Sequence, residues 1–180
     1  MQGVYLLRIA VVTPLAIPFG RFAGGRAIAL PVGDYLYIGS AMAQRGATTL
    51  AGRLLRHATR SADRAPHAVR GELVKALQAA DQRVTLPTAK RVRWHIDYLL
   101  DEAAADLRQI YALRTASPIE VPLARWLMAE PVTAVVAPRL GASDDRGATH
   151  LLQVNAPTTW WEALPTVLQQ QHWTIYTIHV

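Results

Sequence analysis

The sequence contains no cysteine, which excludes disulfides, a thiolate nucleophile and any cysteine-ligated metal. It also has no apolar run near the roughly 18 residues that a membrane-spanning helix needs. Its first residues lack the basic region and cleavage site of a signal peptide. We therefore expect a cytoplasmic protein with no membrane partner. Charged residues make up only 18%, but hydrophobic residues make up 51%, as in a folded globular chain of 180 residues.

Acidic residues are scarce in the middle of the chain. Residues 40–93 contain 11 basic and 3 acidic residues, a net charge of +8, so the rest of the chain carries −2 of the total of +6. Such a segment is typical of a face that binds a polyanion, because phosphate contacts and counterion release favour binding. Arginines that only solvate exposed helices would give the same count. Charge alone leaves both interpretations open.

The periodicity of apolar residues predicts a mixture of strands and helices. Strands are expected over residues 3–12, 26–31, 34–39, 106–114, 149–154 and 172–180. Helices are expected over residues 49–60, 67–80, 94–105, 118–130 and 159–170. The second and third strands should form a hairpin that turns at residues 32–34. The Pro- and Gly-rich residues 13–25 should form a loop.

Two predicted helices begin with capping signals. Thr48 or Thr49 is suited to cap the first helix. Ser117 is followed by Pro118 and, three residues after the cap, by Glu120, which is the pattern of a capping box.

Two short aromatic motifs near the start carry the chemistry. Gly3-Val4-Tyr5 and Tyr37-Ile38-Gly39 are followed by Leu50-Ala51-Gly52-Arg53 at the start of a predicted helix. Two tyrosines on neighbouring strands that face an arginine could cleave a phosphodiester, because they supply a base and a cation for the phosphate. The order of the motifs and the Leu-x-x-Arg spacing resemble the GIY-YIG nuclease superfamily.

Within that superfamily the chain resembles a little-characterised domain-of-unknown-function branch. The similarity extends to about Val154 through several short blocks in order. They are Tyr35-Leu36-Tyr37-Ile38-Gly39-Ser40-Ala41, Arg56-His57, Trp94-His95-Ile96-Asp97-Tyr98-Leu99, Glu120-Val121-Pro122-Leu123-Ala124 and residues 141–151.

The resemblance implies an α/β fold of the α+β type. A small, mainly antiparallel sheet flanked by helices would occupy residues 1–157. Residues 158–180 would form a C-terminal extension, with a helix and a strand that pack on this domain or on a partner. The aromatic residues of the extension could also form a homo-oligomer contact or, as a further alternative, stack on unpaired bases.

The resemblance also implies a metal-dependent endonuclease that hydrolyses phosphodiester bonds in DNA. Tyr5 would be the base or would position water, Tyr37 would be its partner, and Arg53 would clamp the phosphate. His57 is a further catalytic candidate, and Glu120 would hold Mg²⁺ or Mn²⁺. The candidate substrate-binding residues are Gly39, Ser40, Arg45, Arg56 and His95.

Several of these residues also have a simple structural interpretation. A tyrosine in a strand commonly packs in the core, and Glu120 could be half of a capping box with Ser117. His95 and Asp97 are two apart and so face different sides of a helix, which argues against a direct acid–base pair. We interpret His95 as a buried, hydrogen-bonded histidine and Asp97 as helix surface. His150 could lie beside the metal, whereas Asp144-Asp145 could be a solvated turn.

Two other functions fit the same features. The chain could be a nucleic-acid-binding module that keeps the fold and lacks catalysis, which predicts salt-sensitive binding without turnover. It could instead be a protein-interaction or assembly domain whose basic face meets an acidic protein and whose aromatic tail forms a dimer.

Overall fold

Strands and helices alternate irregularly along the chain. The computed structural model describes residues 1–62, 64–82, 84–87, 90–142, 147–170 and 174–179. The strands are β1 Gly3–Val11, β2 Leu15–Pro18, β3 Ala27–Leu30, β4 Gly33–Ala41, β5 Ala105–Arg114, β6 Thr133–Val135, β7 Leu151–Val154 and β8 Thr174–His179. The helices are α1 Leu50–His57, α2 Val69–Ala79, α3 His95–Leu100, α4 Glu120–Met128 and α5 Thr158–Gln170, with a short 3₁₀ helix at Phe22–Gly25.

Six strands form one sheet in the order β6-β7-β4-β1-β5-β8, and each neighbouring pair is antiparallel. The two central strands, β1 and β4, pair over nine residues, and this register puts Tyr5 opposite Gly39 and Leu7 opposite Tyr37. The predicted α+β class with a mainly antiparallel sheet is therefore confirmed. The two tyrosines lie on adjacent strands, as the aromatic motifs predicted.

The sheet is covered by helices on both faces, because its central strands alternate between two apolar cores. Tyr5, Leu7 and Tyr37 belong to the core that contains side chains of α1, α2, α3 and the β2–β3 hairpin. Leu6 and Ile38 belong to the other core, which contains side chains of α4 and α5. Alternation in β1 and β4 places Tyr5 and Tyr37 on the sheet face that packs against α1.

The predicted hairpin between residues 26–31 and 34–39 is wrong. β3 pairs with β2 in a separate two-stranded sheet, so the predicted loop over residues 13–25 contains a strand. β4 pairs instead with β1 and β7. β4 is almost wholly buried and β3 is mostly exposed, so only β4 suits the middle of the main sheet.

Several helix boundaries differ from the predicted ones. Thr49 caps α1, as expected, because its Oγ1 accepts a hydrogen bond from Gly52 N at 3.2 Å. α1 ends at His57 and α3 at Leu100, both earlier than predicted. α4 begins at Glu120, and Ile119 rather than Ser117 occupies its N-cap position.

The C-terminal residues complete the main sheet. β8 pairs with β5 at one edge of the sheet, and α5 places Trp161, Leu164 and Leu168 in the core shared with α4. Trp173, a further tryptophan of the C-terminal extension, lies outside the described residues. In the part of the chain that the structure describes, no helix has the length and apolarity needed to cross a bilayer.

Candidate active site

Tyr5 and His57 meet between β1 and α1. Arg53 and His57 are four residues apart in α1, so they project from one face of the helix toward the sheet. The Tyr5 hydroxyl lies 2.8 Å from His57 Nε2, and both side chains are buried. The Tyr37 ring completes the group, with its centroid 6.4 Å from that of Tyr5 and 6.3 Å from that of His57.

Asp97 determines how the His57 ring is oriented. Its Oδ1 lies 3.7 Å from His57 Nδ1 on the side of the ring opposite Tyr5. A carboxylate favours a proton on the nitrogen that faces it, which leaves Nε2 as an acceptor. Tyr5 therefore donates its hydroxyl proton to His57, and the three residues form a Tyr5–His57–Asp97 relay.

Asp97 was interpreted from the sequence as helix surface, and that interpretation is wrong because its side chain is completely buried. Its Oδ2 accepts hydrogen bonds from Arg56 Nη2 at 2.7 Å and from the backbone N–H groups of Arg93 and Trp94. Burial alone would raise the pKa of Asp97, but the neighbouring His57 ring and the charge of Lys90 hold it well below its usual range. Asp97 is therefore an anion beside His57.

The positive charge of Arg53 acts on both tyrosines. Burial raises the pKa of Tyr5 above its usual value, and the charge and hydrogen bond of Arg53 oppose that rise. Burial and then the neighbouring Tyr5 raise the pKa of Tyr37 as well, with Arg53 again acting in the opposite sense. Arg53 is thus placed to stabilise negative charge on either phenol oxygen or on a phosphate.

His57 is held in the neutral form that such a relay needs. Burial lowers the pKa of His57, the charges of Lys90 and Arg53 lower it further, and Asp97 acts in the opposite direction. A neutral imidazole can accept a proton from Tyr5, whereas an imidazolium cannot.

Glu120 does not form the predicted capping box with Ser117. Its Oε2 accepts a hydrogen bond from the Ser40 hydroxyl at the end of β4, and its Oε1 lies 3.4 Å from His150 Nδ1. The carboxylate turns toward the sheet, so Glu120 has no capping role at the start of α4. Glu120 also contributes a negative charge felt by Tyr5 and Tyr37.

The surroundings of Glu120 fit a metal ion that is held partly by substrate. The side chain is 26% exposed, and both ring nitrogens of the buried His150 lack a hydrogen-bond partner among the described residues. No group of three or more His, Asp or Glu in the described ranges could hold a metal by itself. A single carboxylate is nevertheless a common protein contribution to a Mg²⁺ site that keeps water and substrate phosphates as ligands.

Three arginines pack on the Trp94 ring beside this site. The guanidinium carbons of Arg53, Arg56 and Arg93 lie 4.4, 4.7 and 5.6 Å from the Trp94 ring centroid. The same ring packs against His57 with centroids 6.2 Å apart. We call Trp94 and these three residues the arginine–tryptophan cluster, and it forms a positively charged surface next to the relay.

The structure brings most of the predicted site residues together. Gly39 lies under the Tyr5 ring, and Ser40 holds Glu120. Arg45 lies exposed in the loop between β4 and α1. His95 is partly exposed and packs edge-on against Phe22, so it is not the buried, hydrogen-bonded histidine expected.

The sequence did not indicate that Trp94, Asp97 and Lys90 lie beside the tyrosines and His57. A signal for Asp97 was present, because an acidic residue three positions after a helix cap commonly accepts backbone hydrogen bonds. Nothing local indicated that Lys90 is buried. Asp144-Asp145, interpreted as a solvated turn, lie outside the described residues.

One protein-family model spans all of these residues. The model of the family described as domain of unknown function DUF123 matches residues 4–173, which include every site residue from Tyr5 to His150. No curated protein and no solved structure matches the chain.

Proposed function

The chain belongs to the DUF123 family, and we propose that it is a metal-dependent endonuclease that hydrolyses phosphodiester bonds in DNA. The observation that carries the proposal is the position of the Tyr5 hydroxyl, which lies 2.8 Å from His57 Nε2 and interacts with Arg53. The resemblance of its motifs to the GIY-YIG nucleases gives the reaction class. The basic middle segment supports nucleic acid as the substrate.

The relay supplies the proton transfer that hydrolysis requires. Tyr5 passes its proton to His57 Nε2, and Asp97 stabilises the imidazolium that forms. The phenolate then takes a proton from a water molecule as the water oxygen bonds to phosphorus. The bond between phosphorus and the leaving oxygen breaks, and the leaving alkoxide takes a proton from solvent.

Burial sets the order in which groups meet the substrate. Tyr5 and His57 are buried, whereas Arg53, Ser40 and Glu120 are partly exposed. A phosphate therefore meets Arg53 first. The charge of Arg53 also acts on Tyr5, so one cation links the phosphate to the relay.

The arginine–tryptophan cluster binds the flanking strand in this proposal. Arg56 is paired with Asp97, but no carboxylate in the described part of the chain pairs with Arg53 or Arg93. Those two charges are available to phosphates on either side of the cleaved bond. Glu120, with His150 beside it, would hold Mg²⁺, which when bound supplies a Lewis acid for the phosphate oxygens.

The test is cleavage of labelled single-stranded, duplex, flapped and branched DNA with Mg²⁺ or Mn²⁺, with binding scored in the same samples. We expect metal-dependent cuts that disappear in Arg53→Ala and Glu120→Gln. Arg108→Ala and Glu162→Gln are matched controls, because these exposed residues lie on β5 and α5 away from the relay. They should cleave like the wild type.

Two results would count against the proposal. Binding without cleavage on every substrate would indicate the nucleic-acid-binding module instead. Absence of both binding and cleavage, together with self-association that salt does not weaken, would favour the assembly domain.

A further inference from the structure

The two carboxylate oxygens of Asp97 have different surroundings. Oδ2 accepts three hydrogen bonds, from Arg56 and from two backbone N–H groups. Oδ1 accepts none from the described residues. It lies 3.6 Å from Lys90 Nζ and 3.7 Å from His57 Nδ1, and each of these nitrogens is also buried and without a hydrogen-bond partner in the described part of the chain.

Lys90 is unusual because its side chain is completely buried. Lysine is almost never fully buried unless it is paired. Its second partner is Asp101, whose Oδ1 lies 3.1 Å from Lys90 Nζ. Asp101 is fixed in turn by hydrogen bonds from Ser61 and by an ion pair with Arg64 at 3.2 Å. Asp101 therefore holds the ammonium beside Asp97, on the far side of the relay from Tyr5.

We infer that Lys90 is a positioning residue for the Tyr5–His57–Asp97 relay, because its ammonium and the His57 ring share Asp97 Oδ1. The ammonium competes with a protonated His57 ring for that oxygen. The use of the relay in hydrolysis rests on the proposed function, whereas the arrangement of charge around His57 is independent of it.

The effect of Lys90 has a definite sign. His57 is faced by Tyr5 and Tyr37 from the sheet, by Arg53 from its own helix, and by Asp97 and Lys90 from α3 and the segment before it. The two cations disfavour an imidazolium, and the carboxylate favours it. Removing Lys90 leaves Asp97 to act more strongly on His57, so the ring binds its proton at higher pH and is already protonated, and unable to accept the Tyr5 proton, over more of the acidic range.

The direct test is an NMR titration of the His57 ring in the full chain, with its signals assigned from a His57→Gln variant. The pKa of His57 should be highest in Lys90→Met, intermediate in the wild type and lowest in Asp97→Asn. Lys75→Met is the matched control, because Lys75 is an exposed lysine that pairs with Glu72 on α2. A Lys90→Met titration that coincides with the wild type would overturn the inference.

Two further variants separate charge from packing and protect the test against misfolding. Lys90→Met combined with Asp101→Asn removes one charge of each sign, so it leaves no new unpaired carboxylate. The pKa of His57 should still rise in this double variant. Lys90→Arg keeps the charge and should leave the titration near that of the wild type. A rise in Lys90→Arg equal to that in Lys90→Met would show an effect of packing and refute the role of charge.

Cleavage provides an independent reading. The acidic limb of the pH–rate profile should move to higher pH in Lys90→Met, because the relay needs neutral His57. If the wild type cuts no DNA, the proposed function fails while the titrations still decide the role of Lys90. If the wild type cuts DNA but the titrations coincide, only the inference about Lys90 fails.

Discussion

Gly39 lies directly opposite Tyr5 in the β1–β4 pair, and the Tyr5 ring crosses the position that a side chain at residue 39 would occupy. A Cβ built at Gly39 would lie 2.5 Å from both Cζ and the hydroxyl oxygen of Tyr5. The two aromatic motifs therefore form one unit. The last glycine of the second motif makes room for the tyrosine of the first, and the ring can then reach His57.

Gly39→Ala should reduce cleavage strongly, because the new methyl group displaces the Tyr5 hydroxyl from His57. Overpacking of this kind should also cost about 1–3 kcal/mol of unfolding free energy. Gly71→Ala is the control, since a Cβ at this helical position would meet nothing within 4 Å. It should stabilise the protein by about 0.5–1 kcal/mol and leave cleavage unchanged. Wild-type cleavage by Gly39→Ala would contradict the placement of Tyr5.

Tyr5→Phe should leave the core packed and remove the proton donor to His57. Loss of a positioned acid–base group lowers rates by roughly 10²- to 10⁴-fold. The unfolding free energy should fall by about 1–3 kcal/mol, because buried His57 Nε2 loses its donor. Rates are to be measured under single-turnover conditions with DNA saturating.

Tyr35→Phe is the matched control for that experiment. Tyr35 points to the same sheet face, but its hydroxyl donates to the Pro31 carbonyl at 2.7 Å. Its loss should cost about 1 kcal/mol of stability and no activity. Equal cleavage by both variants would remove Tyr5 from the mechanism.

Local patterns were enough to predict the elements that carry the tyrosines and the arginine. The strand over residues 34–39 and the start of α1 near Thr49 were both predicted, because each signal depends on neighbours within a few residues. Pairing of β3 could not be predicted in the same way. Its apolar alternation suits an exposed hairpin with β2 as well as one with β4, and only burial of the whole sheet decides between them.

The relay itself was only partly predictable, since it depends on distant contacts. Tyr5 and His57 are 52 positions apart, and Arg56 and Asp97 are 41 apart. No local sequence pattern indicates that a histidine and a distant aspartate will be in contact in the folded protein. For Glu120, a strong local capping pattern pointed to the wrong partner, because the tertiary contact with Ser40 replaced the local one.

Arg93→Ala should weaken DNA binding in a way that depends on salt. If Arg93 neutralises one phosphate, its loss should reduce the slope of log K against log salt concentration by about 1. Arg108→Ala removes the same charge from an exposed β5 residue that is paired with Asp106 at 3.0 Å. That variant should keep the wild-type slope. Fluorescence anisotropy across a salt series measures both, and equal slopes in the two variants would exclude Arg93 from the DNA-binding surface.

His67 should make the fold sensitive to mild acid. Its Nε2 donates to the Leu100 carbonyl and its Nδ1 accepts from the Leu107 N–H, each at 3.0 Å, so the ring is fixed in one neutral form. Burial, and next the charge of Arg60, lower the pKa of His67 to about 4. The unfolded chain has the ordinary value of about 6.5, so it binds a proton first as the pH falls.

Stability from His67 is therefore complete above pH 6.5 and is lost as the pH falls toward 4. Between pH 7 and pH 5 the loss should be about 2 kcal/mol. Urea unfolding at several pH values measures it, and His67→Leu should flatten the dependence by that amount while lowering stability at pH 7. The lowered pKa of His57 acts in the same direction and remains in the variant, so the difference between the two curves isolates His67. Parallel curves for the two proteins would show that His67 is protonated as readily in the folded state as in the unfolded chain.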